Sequence, residues 1–210
     1  MKIFIIESPN PNDLLESRNE RASLENMCSM FNHQTASFFT YSKLDFENII
    51  KYISKVELVE GEKLCLHFSC HGNSEGVAIG PDFVKWKQFA KALLPVFNNS
   101  AIGKETFIIL SACGANEQKI TKEINDLTQL QREALHFPNY FFVYNQDEVS
   151  WSDALLCWSI LYHQLSKLDV IDRTSVQNIL KNIDKFGSLK YFRWDEGEMK
   201  YLKFTPNSRS

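Results

Sequence analysis

Apolar residues follow two alternating rhythms along this chain. Residues 2–6, 35–41, 63–70, 106–110 and 140–144 are short apolar or β-branched and aromatic runs, the signature of buried strands. Between them, residues 14–31, 44–56, 83–97, 120–135 and 150–168 place apolar residues three and four apart, which predicts amphipathic helices. Strand alternating with helix predicts a parallel sheet covered on both faces. In such sheets reactive groups gather beyond the carboxyl ends of the strands. The tail differs: residues 189–194 and 199–204 flank Asp195, Glu196 and Gly197, a hairpin pattern. No repeat or linker interrupts the chain, so residues 1–205 read as one domain and 206–210 as a frayed tail.

Composition narrows the function classes. Net charge is -3, from 23 Lys+Arg against 26 Asp+Glu, which argues against wrapping nucleic acid. Aromatics reach 13%, with 16 Phe, and predict a densely packed core. No run approaches the ~18 apolar residues of a membrane span, and the apolar run at 3–6 stops at Glu7, too short for a secretory signal. Five cysteines at irregular spacing give no disulfide framework. The expectation is a cytosolic protein with reduced thiols.

Two strand ends carry chemistry. The third strand delivers His71-Gly72 and the fourth delivers Cys113-Gly114. If these strands are parallel neighbours, their ends lie ~5 Å apart and both side chains face one cleft. Imidazole moves protons near neutral pH, and a thiolate attacks carbonyls. The glycines allow tight turns, and the amides of Gly72 and Cys113 can point at a developing oxyanion. Alone, a strand-end cysteine is usually core packing and a His-Gly is usually a turn; together, at successive strand ends, they favour a Cys/His hydrolase.

A metal reading of Cys65, His67, Cys70 and His71 fails on strand alternation, which puts Cys70 on the opposite face. Cys28, Cys65, Cys70 and Cys157 read as packing residues, and His67 as a satisfied sheet residue. No phosphate-binding glycine motif is present. No cofactor is expected.

The strings Leu66-His67-Phe68-Ser69-Cys70-His71-Gly72 and Leu110-Ser111-Ala112-Cys113-Gly114 resemble the caspase-like (clan CD) cysteine peptidases, most closely the bacterial CHAT-type branch. Residues 145–154 and 160–165 are similar to that family's substrate-side loop and following helix, and 15–22 to its first helix, so the likeness spans residues 1–170. The resemblance implies a three-layer α/β/α sandwich with a mostly parallel sheet of about six strands and a C-terminal hairpin. It implies Cys113 as nucleophile, His71 as general acid, and the Gly72 and Cys113 amides as oxyanion hole. It further implies a protein substrate, an activator protein, and a role in bacterial defence or regulated cell death, such as cutting a gasdermin-like pore former.

One position departs from the pattern. Branches that cut after Arg or Lys often carry an acid two residues before the cysteine, and caspases carry Gln; this chain has Ser111. Asp147, Glu148 or Asp153 would then supply negative charge to the substrate site, or form a solvated loop face. Ser150 belongs to the segment resembling the strand on which substrate pairs. Trp151 reads equally as a subsite wall or a core residue, and Arg18 as a helix-surface residue. The stretch 114–139 stands where caspases carry a cut linker, with Lys119, Lys122 and Arg132 as candidate sites; its helical pattern favours an uncut helix. The rival reading is a non-catalytic caspase-like binding module, and a third is a small-molecule thiol hydrolase.

Overall fold

A computed structural model describes residues 1–115, 119–130 and 135–206. Its elements are strands β1 (Lys2–Ser8), β2 (Gln34–Phe39), β3 (Leu64–Cys70), β4 (Gly72–Asn73), β5 (Gly76–Ile79), β6 (Asp82–Lys85), β7 (Thr106–Ser111), β8 (Tyr140–Tyr144), β9 (Leu189–Asp195) and β10 (Lys200–Phe204). The helices are α1 (Pro11–Leu15), α2 (Arg21–Met30), α3 (Lys43–Ile53), α4 (Trp86–Ala92), α5 (Leu94–Phe97), α6 (Lys119–Leu130), α7 (Trp151–Leu165) and α8 (Arg173–Ile183).

The main sheet has seven strands in the order β10-β9-β8-β7-β3-β1-β2. The five strands from β2 to β8 run parallel, and the C-terminal hairpin β9–β10 adds antiparallel at one edge. Each central strand buries both faces. Leu66, Phe68 and Ile108 pack with α3, α4 and α6, whereas Cys65, Phe107 and Phe142 pack with α2, α7 and α8. Period-2 alternation divides each apolar run between two cores, which makes three layers. Cys65 and Cys70 accordingly sit in opposite cores.

Three segments depart from the sequence expectation. The single helix expected over 14–31 is two helices. Asn10 and Asp13 form a capping box at the start of α1, with Pro11 as its first residue. Its end is a Schellman turn: Ser17 takes φ 55°, its amide bonds the Leu14 carbonyl (3.3 Å), and the Arg18 amide bonds the Asp13 carbonyl (2.8 Å). Without a glycine there, the stop has no strong sequence signal. The helix expected over 83–97 starts later, at Trp86, because Asp82–Lys85 pairs with β5 in a small antiparallel sheet β4-β5-β6. α8 was not expected at all. Of the helix expected over 120–135, residues 119–130 are helical; residues 131–134, including Arg132, lie outside the described residues, as do 207–210 of the tail.

Candidate active site

Parallel pairing brings the carboxyl ends of β1, β3, β7 and β8 to one end of the sheet. β3 and β7 are neighbours, with Ser69 opposite Ser111. Two residues beyond that pair stand His71, after β3, and Cys113, after β7, and both line one cavity. The two loops abut: a methyl on Gly72 would lie 2.9 Å from the Cys113 carbonyl oxygen. Gly114 has φ +68°, and a methyl there would meet the Asn73 backbone at 2.5 Å. A side chain at either position would push the loops apart. The Gly114 amide also bonds the Asp147 carbonyl (3.1 Å), tying the cysteine loop to the loop after β8.

The chain leaving β1 supplies the neighbours of His71. Nε2 of His71 is 2.6 Å from Oδ2 of Asp13 and 3.0 Å from Nδ2 of Asn10. Both cannot be hydrogen bonds if Asp13 is ionised. A carboxylate only accepts, so Nε2 must carry the proton, and an N–H facing the Asn10 amide has no acceptor there. Asn10 cannot turn its oxygen instead, because Oδ1 already accepts from the Asp13 amide (2.9 Å). The shorter contact decides it: Nε2–H donates to Asp13, which leaves Nδ1 as the acceptor nitrogen of the neutral ring. Asp13 is buried while the His71 ring is 46% exposed, so a fixed carboxylate holds a reachable imidazole. Trp151 meets that ring edge-on, with centroids 6.1 Å apart.

The cavity holds about 70 Å³, and Glu20 lines it with Ser111, Tyr144, Val149, Trp151 and Ala154. Glu20 is 1% exposed. Its Oε1 accepts from the Ser111 hydroxyl (2.7 Å), and its Oε2 pairs with Nε2 of His67 (3.1 Å). Trp158 donates to Ser111 Oγ (2.9 Å), and the other nitrogen of His67 meets the Tyr162 hydroxyl (2.9 Å). The network satisfies a carboxylate that would otherwise be costly to bury. Burial, then the charge of Glu20, holds the Tyr144 hydroxyl well above its ordinary range. A larger hollow of about 650 Å³ lies at the opposite end of the strands, around Met1, Lys63 and Leu165.

His71, Cys113 and Trp151 therefore share one cavity. Ser150 and Asp153 do not line it: Ser150 caps α7, accepting from the Asp153 amide (3.2 Å), and its hydroxyl donates to the Asp153 carboxylate (2.8 Å). Asp147 and Glu148 are exposed on the preceding loop. Arg18 is ion-paired with Glu16 at the surface. Asp13 and Glu20 escaped the sequence reading, since their partners lie 58 and 91 residues away. The other four cysteines are buried; burial pushes Cys28, Cys65 and Cys70 up to about 12 and Cys157 to about 11. Cys113 is the partly exposed one.

No family model and no curated relative matches the sequence. Solved structures do match the fold. Caspase-1 from Spodoptera frugiperda superposes with a TM-score of 0.55 at 14% identity, over 98% of this chain and 84% of that one. The caspase drICE gives 0.54 at 11% identity, over 97% and 86%. The chain has the caspase-like α/β fold.

Proposed function

We propose that this chain is a cysteine endopeptidase of the caspase-like fold, with Cys113 as nucleophile and His71 as general acid. One observation carries the reading: the only partly exposed cysteine and an imidazole oriented by a buried carboxylate line one cavity at adjacent parallel strand ends. The Cys113 sulfur attacks the peptide carbonyl, and the C–N bond breaks as His71 gives a proton to the departing amine. Water then adds to the thioester and releases the acid, returning a proton to the site. The Gly72 and Cys113 amides are the candidate oxyanion donors. Asp147, Glu148, Ser150 and Asp153 are assigned to the outer edge of the cleft, where an extended substrate lies beside the loop after β8. Membership of the CHAT-type branch, a defence role, an activator and a gasdermin-like substrate rest on the motif resemblance alone.

The test is labelling by a peptidyl acyloxymethyl ketone and cleavage of a peptide library. Labelling and cleavage that vanish in Cys113→Ala are expected. A folded wild type that neither labels nor cleaves, with or without a cell extract supplying activators, would leave the binding-module reading in its place.

A further inference from the structure

The two edges of the main sheet are built differently. At one edge β10 carries Lys200 and Lys203, both exposed, the kind of charge that keeps an edge strand from pairing further. At the other, β2 reads Gln34-Thr35-Ala36-Ser37-Phe38-Phe39, with no charge, no proline and no bulge against β1. The bonds from the Gln34 amide to the Met1 carbonyl (3.1 Å) and from the Thr40 amide to the Glu7 carbonyl (2.9 Å) set the phase: residues 34, 36, 38 and 40 bond β1. The amides and carbonyls of Thr35, Ser37 and Phe39 therefore point away from the sheet, and nothing among the described residues bonds them. They form a row that another extended strand matches in full.

We propose that β2 pairs antiparallel with the β2 of a second copy of this chain, about a two-fold axis at Ser37. In that register Ser37 faces the second copy's Ser37, Thr35 faces its Phe39, and every outward amide meets an outward carbonyl. Both faces of the strand are self-complementary there. On the α3 face the Phe38 ring, 6.3 Å from Phe4 and 6.4 Å from Tyr52, stands opposite the second copy's Ala36, whose small side chain leaves room for it. Tyr52, 67% exposed, is covered in the pair. On the α2 face, Ser37 Oγ donates to Glu25 (2.6 Å) and accepts from Arg21 (2.9 Å). α2 runs back along β2, so Arg21 lies over Phe39 (4.2 Å) and Glu25 stands one turn nearer the start of the strand. A two-fold axis at Ser37 reverses that order and sets each Arg21 against the second copy's Glu25. A second copy is thus matched in backbone, shape and charge, whereas a strand of arbitrary sequence is matched in backbone alone. The inference is independent of the peptidase reading.

Sedimentation velocity of the full chain over a broad range of concentrations tests the assembly. Wild type should dimerise reversibly, and amide exchange at Thr35, Ser37 and Phe39 should slow as concentration rises. Thr35→Pro, which removes an outward amide and no bond to β1, should weaken the dimer by about tenfold or more while the circular dichroism spectrum stays native. Arg21→Glu and Glu25→Arg each set like charges across the axis, and each should weaken the dimer. An equimolar mixture of those two variants should restore it, because opposite charges then meet at both contacts. A mixture of folded variants that stays monomeric overturns the two-fold pairing. A wild type that is monomeric at every concentration overturns the inference and leaves the edge to a strand of another protein. A dimer that Thr35→Pro or Glu25→Arg leaves intact uses another face and overturns it as well. If Arg21→Glu does not fold, Thr35→Pro and Glu25→Arg decide.

Discussion

Asp13 holds His71: their Oδ2 and Nε2 atoms lie 2.6 Å apart, and the carboxylate is buried where the imidazole is not. The carboxylate has two tasks, since it also accepts from the Asn10 amide (3.0 Å) in the capping box of α1. Asp13→Asn separates them, because the amide oxygen can still cap but carries no charge. It should lower kcat by on the order of 10- to 100-fold, part of the 10²–10⁴ that positioned acid–base catalysis supplies, and leave KM within about twofold. Asp13→Ala should in addition lose about 0.5–1.5 kcal/mol of stability with its capping-box hydrogen bond. Steady-state kinetics beside thermal melting separates the effects; wild-type kcat in Asp13→Asn would reduce Asp13 to a helix cap.

Thiol reactivity should be confined to one site. Burial keeps Cys28, Cys65, Cys70 and Cys157 as thiols, whereas Cys113 is partly exposed at a loop. Brief iodoacetamide treatment of the native protein near neutral pH should give a single adduct, mapped by mass spectrometry to Cys113. Denatured protein should give five. Modification of Cys157 or Cys28 at a rate near that of Cys113 would contradict the assignment.

Legibility in the sequence followed the range of the interactions. The parallel strands were readable because each buries both faces, so local apolar runs suffice. His71 and Cys113 were readable because they end such runs. α8 is equally legible, with Val176, Ile179, Leu180 and Ile183 at helical spacing after the Asp172 cap. The two-residue strand β4 was not, since pairing of Gly72 with Val77 leaves no periodic trace. Neither were Asp13 and Glu20, because a carboxylate at a helix start looks solvated until the sheet brings its partner to it.

The two glycines should tolerate alanine poorly, for different reasons. Gly114 combines φ +68° with backbone contact at 2.5 Å, so Gly114→Ala should cost about 1–2 kcal/mol from conformation alone, with the clash adding to it. That is roughly 2–8 °C in melting temperature for a chain of this size. Gly72→Ala meets only the Cys113 carbonyl within 3 Å, so it should cost less stability while displacing the nucleophile's loop. Melting curves and the rate of Cys113 alkylation, measured for both variants, check this. Full activity in Gly72→Ala would mean that the loops do not need to abut.

Glu7 makes stability depend on pH in an uncommon direction. The side chain is 0% exposed; Oε2 accepts from the Arg21 amide (2.6 Å) and Oε1 has no partner. Burial outweighs that hydrogen bond and raises the carboxyl from 4.5 to about 7. Between those values the unfolded chain has released the proton and the folded chain keeps it, so folding takes up a proton. Stability from this group is therefore complete below pH ~4.5, declines as pH rises, and levels off above about 7. The full change is about 3 kcal/mol, or roughly 6–12 °C. Most paired acids act in the opposite sense, losing stability as pH falls. Glu7→Gln removes the titration, so its melting temperature should change less between pH 5 and pH 8 than that of wild type. Parallel melting profiles for the two proteins across that range would show that Glu7 is ionised in the fold and that its buried charge is balanced elsewhere.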